Sequence, residues 1–136
     1  MYCYSVPQKK LEKLTYIPSS KQIQGILQQS PTRIWVATEG SGLLLINPKT
    51  REVKIYRHSP SNPQSISSNY IRSLALDSQN RLWIGTFNGL NRYNKSTGLF
   101  QNHTANDIQT DGLTHSSIWC IVKDNQGTLW LGTYFG

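Results

Sequence analysis

The residue types that most often catalyse reactions or bind metals are few in this sequence and far apart. The histidines are His58, His103 and His115, and the cysteines, Cys3 and Cys120, form no Cys-x-x-Cys pair and have no histidine at ligand spacing. The chain also has no Gly-x-Ser-x-Gly, no His-Glu-x-x-His and no glycine-rich phosphate loop. We therefore predict no catalytic residues, no metal site and no cofactor, and interpret both cysteines as small packing residues.

The charge balance narrows the choice of partners. Lys and Arg number 14 against 7 Asp and Glu, which gives a net charge of +7 over 136 residues. The basic residues are scattered, whereas nucleic-acid binding favours a basic face or a reading helix, so we expect no nucleic-acid partner. A solvated basic surface, or attraction to acidic ligands, is the better interpretation. Because no stretch approaches the roughly 18 apolar residues of a membrane span, and no signal peptide follows Met1, we expect no membrane contact by this segment.

A short pattern repeats three times and indicates the fold. Residues 34–38 (IWVAT), 82–86 (LWIGT) and 129–133 (LWLGT) are similar, and their tryptophans are 48 and 47 residues apart. Ile23, Ile71 and Ile118 precede them at the same spacings. A period of about 45 residues that contains four short strands is typical of a propeller blade.

The second copy shows the four strands most clearly. We predict strand A at about 71–77, strand B at 81–86, strand C at 90–94 and strand D at 99–103. No window repeats at the helical period of about 3.6 residues, so the class is all-β. The chain is predicted to contain about three blades of four antiparallel strands: strands C and D in 1–20, whole blades in 21–68 and 69–116, and strands A and B in 117–136.

Three blades cannot close a ring, since propellers have about four to eight. Open sheet faces and unpaired strand edges favour association. We therefore expect either a two-fold dimer that closes a six-bladed ring, with each half-blade completing that of the partner, or neighbouring blades of a longer chain.

Turn residues support this assignment. Asp77 and Asp124 stand where a side chain can bond the turn backbone between strands A and B, and Asn80 and Gly127 stand where a positive φ is needed.

The other two turns of the blade also have recognisable residues. Asn88-Gly89 predicts a type I′ turn between strands B and C. Gly98 ends the C–D turn, where the other copies have Arg51 and Lys9, so those two turns are predicted to be strained or differently shaped.

Residues that recur once per blade are predicted to pack between sheets. A tryptophan on strand B is large enough to fill the wedge between twisted neighbouring sheets, and glycines leave room for close backbone approach. These structural residues are Trp35, Trp83, Trp130, Gly85, Gly132 and Gly89.

Binding residues are expected at one end of the blades, where the D-to-A connectors and the B-to-C turns emerge together. This end offers aromatic rings on which a sugar can stack and planar polar groups that can bond its hydroxyls. Structural roles are the alternative, with Asn69 capping its own turn and Trp119 packing inside. The predicted ligand-binding face consists of Glu39, His58, Asn69, Arg72, Phe87, Asn88, Asp111, His115, Trp119 and Tyr134.

The repeat resembles the two-component regulator propeller family. Residues 118–136 (IWCIVKDNQGTLWLGTYFG) follow its blade pattern, and 62–71 (NPQSISSNYI) resemble its linker between blades. Residues 111–113 (DGL) resemble the other common form of that linker. The first copy departs, because 30–33 shorten the A–B turn and Ala37 replaces a glycine. The resemblance implies the periplasmic sensing portion of a hybrid histidine kinase, commonly of Bacteroides-type bacteria responding to glycans, non-catalytic in itself.

Two other functions are compatible with a propeller. Streptogramin lyases are propeller enzymes with tryptophan-bearing repeats that use histidine and a divalent metal, although their blades are shorter and lack the linker at 62–71. A protein-interaction scaffold would use the same face. Metal-dependent turnover would identify the lyase, saturable glycan binding the sensor, and a co-purifying protein the scaffold.

Overall fold

The computed structural model describes residues 1–18, 22–105, 113 and 115–135. These residues form twelve β-strands and no helix, which confirms the all-β class. In chain order the strands are β1 (Tyr2–Ser5), β2 (Lys10–Lys13), β3 (Ile23–Ser30), β4 (Arg33–Thr38), β5 (Leu43–Asn47), β6 (Glu52–Tyr56), β7 (Ile71–Leu76), β8 (Leu82–Thr86), β9 (Gly89–Asn94), β10 (Leu99–His103), β11 (Ile118–Lys123) and β12 (Leu129–Thr133).

The strands form four antiparallel sheets in which neighbours follow one another along the chain. Strands β3 to β6 form one four-stranded sheet and β7 to β10 form a second, each in the A-to-D order of a propeller blade. The β1–β2 pair and the β11–β12 pair form two-stranded sheets at either end of the sequence. The boundaries between blades, which fall partly outside the described ranges, stay a prediction.

The largest apolar core lies between the two complete sheets. Trp35 of β4 is fully buried there, and its ring centroid is 4.9 Å from that of Tyr93 on β9. The hydroxyls of Tyr56 and Tyr93 share a hydrogen bond of 2.9 Å, so both buried polar groups are paired. Phe100 packs 5.4 Å from Tyr56. Trp35 therefore fills the wedge between these two sheets.

The equivalent tryptophans of the next two sheets are less buried. Trp83 of β8 is half-buried and packs with Leu129 and Leu131 of β12 in a smaller apolar cluster. Trp130 of β12 is 64% exposed. Trp35 and Trp83 pack towards the sheet that follows their own, and among the described residues no sheet follows β12.

Gly85 of β8 lies where two neighbours approach its backbone. A methyl group there would contact Oγ of Ser73 on the paired strand β7 and would lie 2.8 Å from Cγ2 of Ile118 in the next sheet. The equivalent residue of the first complete sheet is Ala37, and it pairs with Gly25 of β3 instead of with a serine. The glycine of this pair is therefore on strand A in the first complete sheet and on strand B in the second.

The A–B turns follow the prediction. Oδ1 of Asp77 accepts hydrogen bonds of 2.9 Å from the backbone N–H groups of Gln79 and Arg81. Asn80 has a φ of 58° and Gly127 a φ of 89°, so both occupy the left-handed region.

A side-chain acceptor near the end of each A strand, or just after it, binds the tryptophan of strand B. In all three copies an indole N–H donates a 2.9 Å hydrogen bond to a side-chain oxygen six residues earlier. This contact ties the turn to the residue that packs between sheets. The donor and acceptor pairs are Trp35 and Gln29, Trp83 and Asp77, and Trp130 and Asp124.

We expect Asp77 to make stability depend on pH. Its burial raises the pKa, but hydrogen bonds from the Trp83 indole, from the Arg81 backbone and side chain and from the Gln79 backbone outweigh this and lower the pKa from 3.8 to about 2. Because the folded-state pKa is depressed, the stabilisation is complete above 3.8 and is lost as pH falls towards 2. Asp77→Asn should therefore reduce the free energy of unfolding by about 2 kcal/mol at neutral pH and flatten its decline in acid. Urea unfolding at a series of pH values measures both effects.

The equivalent Asp124 provides the control for this prediction. Its pKa is also lowered, first by the Trp130 indole, but the turn is exposed. Asp124→Asn should therefore have the smaller effect. Equal losses in the two variants would contradict the role given to the buried carboxylate.

The B–C turn differs from the predicted type I′ turn at Asn88-Gly89. Thr86 and Gly89 are paired across the hairpin, so the central residues are Phe87 and Asn88, and neither has a positive φ. The prediction is wrong because Thr86 organises the turn: its Oγ1 accepts from the Asn88 N–H at 3.1 Å and donates to the Gly89 carbonyl at 2.9 Å. Gly89 is instead needed because a methyl group there would lie 2.7 Å from the His103 carbonyl oxygen.

In all three C–D turns the residue at the same position has a left-handed backbone conformation. Gly98 has a φ of 72°, Arg51 of 63° and Lys9 of 50°. The sequence analysis predicted that the turns at Arg51 and Lys9 are either strained or differently shaped. The shape is the same, so Arg51 and Lys9 bear the backbone strain that glycine avoids.

Strands β1 and β12 each have one edge without a partner strand among the described residues. In the second complete sheet, Trp83 of the B strand lies opposite Arg92 of the C strand. If β1 of a second copy paired with β12 in this register, Cys3 of that copy would lie opposite Trp130. The dimer stays a prediction, and equilibrium sedimentation that gives a monomer across micromolar concentrations would contradict it.

Candidate functional site

The B–C turns and the connectors meet at one end of the sheets, as the blade order requires. The first residue after each B strand donates its backbone N–H to the residue just before the A strand of the same sheet. The hydrogen bonds run from Glu39 to Gln22 at 2.9 Å, from Phe87 to Tyr70 at 3.0 Å and from Tyr134 to Ser117 at 3.2 Å. This repeated contact fixes the turns against the start of strand A.

The second residue of each A strand joins these turns into a continuous group. Gln24, Arg72 and Trp119 occupy this position in β3, β7 and β11. Nε2 of Gln24 donates to Glu39 at 2.7 Å, and Glu39 lies 3.6 Å from Nη1 of Arg72 in the next sheet. The Arg72 guanidinium lies 4.6 Å from the ring centroid of Trp119, which is 6.1 Å from that of Tyr134. We call these five residues the connector-face arc.

The polar half of the arc is electrically balanced. Glu39 and Arg72 have 33% and 18% of their side chains exposed, so their ion pair is partly shielded from water. Nε of Arg72 is buried and meets no acceptor among the described residues. The stacking of Arg72 on Trp119 holds the guanidinium in a fixed orientation. The arc therefore presents oriented polar groups without net charge.

The other half of the arc is aromatic and open to solvent. Trp119 is 46% exposed and Tyr134 is 61% exposed. His115 and Phe135 extend the group, because their ring centroids lie 5.8 Å and 4.9 Å from that of Tyr134. An exposed aromatic surface beside oriented polar groups can bind a ligand that has both an apolar face and hydroxyls.

The remaining predicted face residues have other contacts. The His58 N–H donates to Oδ1 of Asn69 at 2.8 Å, and Nδ1 of His58 lies 2.9 Å from the Ile66 carbonyl oxygen, so this pair shapes the connector. Phe87 lies beside Tyr70, 6.4 Å between ring centroids, and Asn88 lies exposed in the B–C turn. Asp111 falls outside the described residues.

Sequence reasoning missed Gln24, Tyr70 and Phe135. Gln24 could have been found, since it precedes Arg72 by the repeat spacing of 48 residues. The same holds for Phe135, which follows the predicted Asn88 by 47 residues, whereas Tyr70 occupies a repeat position held by the polar Gln22 and Ser117 in the other copies.

The possible metal ligands and the two cysteines, for which no metal site was predicted, can also be placed in the structure. Among the described residues, no three or more His, Cys, Asp or Glu side chains group so that they could hold a metal ion. Cys3 and Cys120 are exposed, so their interpretation as packing residues is wrong. Both lie in two-stranded sheets that have a neighbouring sheet on one side only. In the same described ranges, no helix is long and apolar enough to span a membrane.

Comparison with known proteins identifies the repeat. Residues 65–88 and 112–135 match the family model described as two component regulator propeller. A stretch of 64 residues, 47% of the chain, is 36% identical to Histidine kinase P4 of Formosa agariphila, of which it spans 5%.

Two solved structures that share the fold are extracellular domains from Bacteroides thetaiotaomicron. The extracellular domain of BT4673 from B. thetaiotaomicron, assigned to a hybrid two component system, has a TM-score of 0.74 and 29% identity over 97% of this chain and 17% of that chain. The extracellular domain of BT3049 from the same organism has a TM-score of 0.75 and 21% identity over 92% of this chain and 18% of that chain, a likeness of fold alone. This chain thus spans less than a fifth of these relatives, and two of its segments match the model of the two component regulator propeller family.

Proposed function

We propose that this chain is a ligand-sensing propeller segment of a bacterial two-component sensor, acting in the periplasm and without catalytic activity of its own. The proposal is supported by the matched family model, by the kinase relative and by the extracellular domains that share the fold. Since the chain corresponds to a small part of each relative, the signalling output would belong to other parts of a parent protein.

The observation that carries the proposal is the connector-face arc. Its residues come from three successive sheets, and each is held by strand or turn hydrogen bonds rather than by a mobile loop. A ligand bound across the arc would contact several blades at once, so binding would resist changes in the angle between them. Such coupling between occupancy and blade arrangement is what a sensor needs.

We infer that the ligand is a glycan. A sugar ring can stack on Trp119 or Tyr134 while its hydroxyls bond the carboxylate of Glu39 and the amide of Gln24. The internal pairing of Glu39 with Arg72 favours an uncharged ligand, because a charged one would compete with this ion pair.

The test is a screen of neutral oligosaccharides against the immobilised 136-residue chain, followed by titration calorimetry with those that bind. Trp119→Ala should weaken binding at least tenfold, because the surface on which the sugar stacks is lost together with the ring that orients Arg72. The matched control is Trp130→Ala, which removes another exposed indole, on strand β12 outside the arc, and should leave the affinity unchanged.

Two outcomes would overturn the proposal. If no oligosaccharide in the screen binds saturably, the ligand is not a neutral glycan. If Trp119→Ala and Trp130→Ala weaken binding equally, the sugar contacts exposed aromatic residues in general and the arc is not the site.

A further inference from the structure

A second candidate site lies at the opposite end of the complete sheets, between the A–B and C–D turns. A cleft of about 480 Å³ separates the two blades there. Four of its lining residues are cationic, and they come from both sheets. Arg33 belongs to the first sheet, and Arg81, Arg92 and Lys95 belong to the second. Residues that are scattered in the sequence are thus brought together by the docking of two blades.

The cleft has little compensating negative charge. No carboxylate lines it, and of its four cationic side chains only that of Arg81 forms an ion pair with a carboxylate among the described residues, with Asp77 at 2.6 Å. Nη2 of Arg92 donates to the neutral amide of Gln101 at 2.6 Å. Glu52 lines an adjoining depression that Arg33 and Lys95 share. Positive potential therefore accumulates in the cleft.

Aromatic rings hold two of the guanidinium groups in place without neutralising them. Arg33 lies 5.4 Å from the ring centroid of Trp35 and 6.0 Å from that of Tyr93. Arg92 lies 5.8 Å from the ring centroid of Trp83. These cation–π contacts orient the arginines before any ligand arrives, which reduces the entropy lost on binding.

Arg33 also has an unmet hydrogen-bonding requirement. Its Nε donates to Oε1 of Gln29 at 3.3 Å, but Nη2 is buried and has no acceptor among the described residues. A buried charged donor without an acceptor costs free energy. Arg33 lines the cleft, so an oxyanion bound there would lie beside a guanidinium that still has a donor without an acceptor.

We propose that this cleft binds a phosphate or sulfate group through Arg33, Arg92 and Lys95. Guanidinium groups bind the oxygens of such anions with paired, charge-assisted hydrogen bonds. The anion is either a free ion or an ester carried on a larger ligand. The site lies at the end of the blades away from the connector-face arc and does not depend on glycan binding there.

The first experiment is titration calorimetry of the 136-residue chain with sodium sulfate and sodium phosphate, at an ionic strength held constant with sodium chloride. Saturable binding is expected, and Arg92→Gln and Arg33→Gln should each weaken it at least tenfold. Arg57→Gln removes the same charge outside the cleft and should leave the affinity unchanged. Urea unfolding of each variant shows whether it is folded. If Arg33→Gln does not fold, Arg92→Gln alone tests the site.

A second arm separates the two sources of the anion. Glucose 6-phosphate that binds more tightly than inorganic phosphate, while glucose does not bind, would identify an ester group as the ligand; equal affinities would identify the free ion. The proposal fails if neither anion binds beyond the effect of chloride, or if Arg57→Gln weakens binding as much as Arg92→Gln does.

Discussion

Trp35→Ala is expected to lower the free energy of unfolding by about 3–5 kcal/mol, the range for removing a large aromatic side chain from a core. Trp35 is fully buried between the complete sheets and contacts the rings of Tyr56 and Tyr93. Its loss would leave a cavity, remove one hydrogen bond from Gln29 and take away one of the two aromatic rings beside the Arg33 guanidinium. Urea unfolding followed by circular dichroism, at one protein concentration, measures the difference.

Trp130→Ala is the matched control, because it changes the same residue type at the same position of the repeat. Trp130 is 64% exposed, and its hydrogen bond to Asp124 lies at the surface. We expect a loss of less than about 1 kcal/mol. Similar losses in the two variants would mean that Trp130 is covered in solution, and a loss that rises with protein concentration would indicate that a second copy covers it.

Gly85→Ala is expected to destabilise the chain by about 3 kcal/mol, near the upper end of the usual cost of overpacking. The added methyl group would contact Oγ of Ser73 and would lie 2.8 Å from Cγ2 of Ile118. Neither neighbour can move easily, since Ser73 is in the paired strand and Ile118 is fully buried. Equilibrium unfolding in urea measures the cost.

The first complete sheet suggests a second change that should rescue this variant. There the pair is Gly25 and Ala37, so Ser73→Gly combined with Gly85→Ala copies an arrangement that the fold already contains. Ser73→Gly also removes a buried hydroxyl that has no partner among the described residues. A double-mutant cycle should give a favourable coupling of about 1–2 kcal/mol. The part of the Gly85→Ala destabilisation that is not relieved would come from the contact with Ile118. Additive losses would show that the contact with Ser73 is not the cause.

Much of the fold could be predicted because the information for each blade is local. The tryptophan period marks equivalent B strands, and the Asp77 turn follows from side-chain geometry within five residues. The B–C turn was mispredicted because Asn88-Gly89 is a strong hairpin signal on its own, whereas the hydroxyl of Thr86 decides between turn types. A threonine just before a turn is a weaker signal in sequence.

The candidate sites could be predicted only in part. Glu39, Arg72, Trp119, Tyr134 and His115 were assigned to the correct end of the blades, because strand direction alone determines that end. Which of them touch depends on how neighbouring sheets dock, as with the 4.6 Å approach of Arg72 to Trp119. The cationic cleft was missed for the same reason, since Arg33 and Arg92 come from different blades.

The exchange of Gly25 and Ala37 bears on how the repeats of such a protein are counted. The family model matches the segments that contain Gly85 and Gly132 but not the equivalent segment of the first complete sheet. That sheet nonetheless has its four strands in the same order. The glycine of this cross-strand pair can thus stand on either of the two strands. A sequence search that requires a glycine on strand B would therefore miss such blades. A search that accepts the glycine on either strand A or strand B would find them.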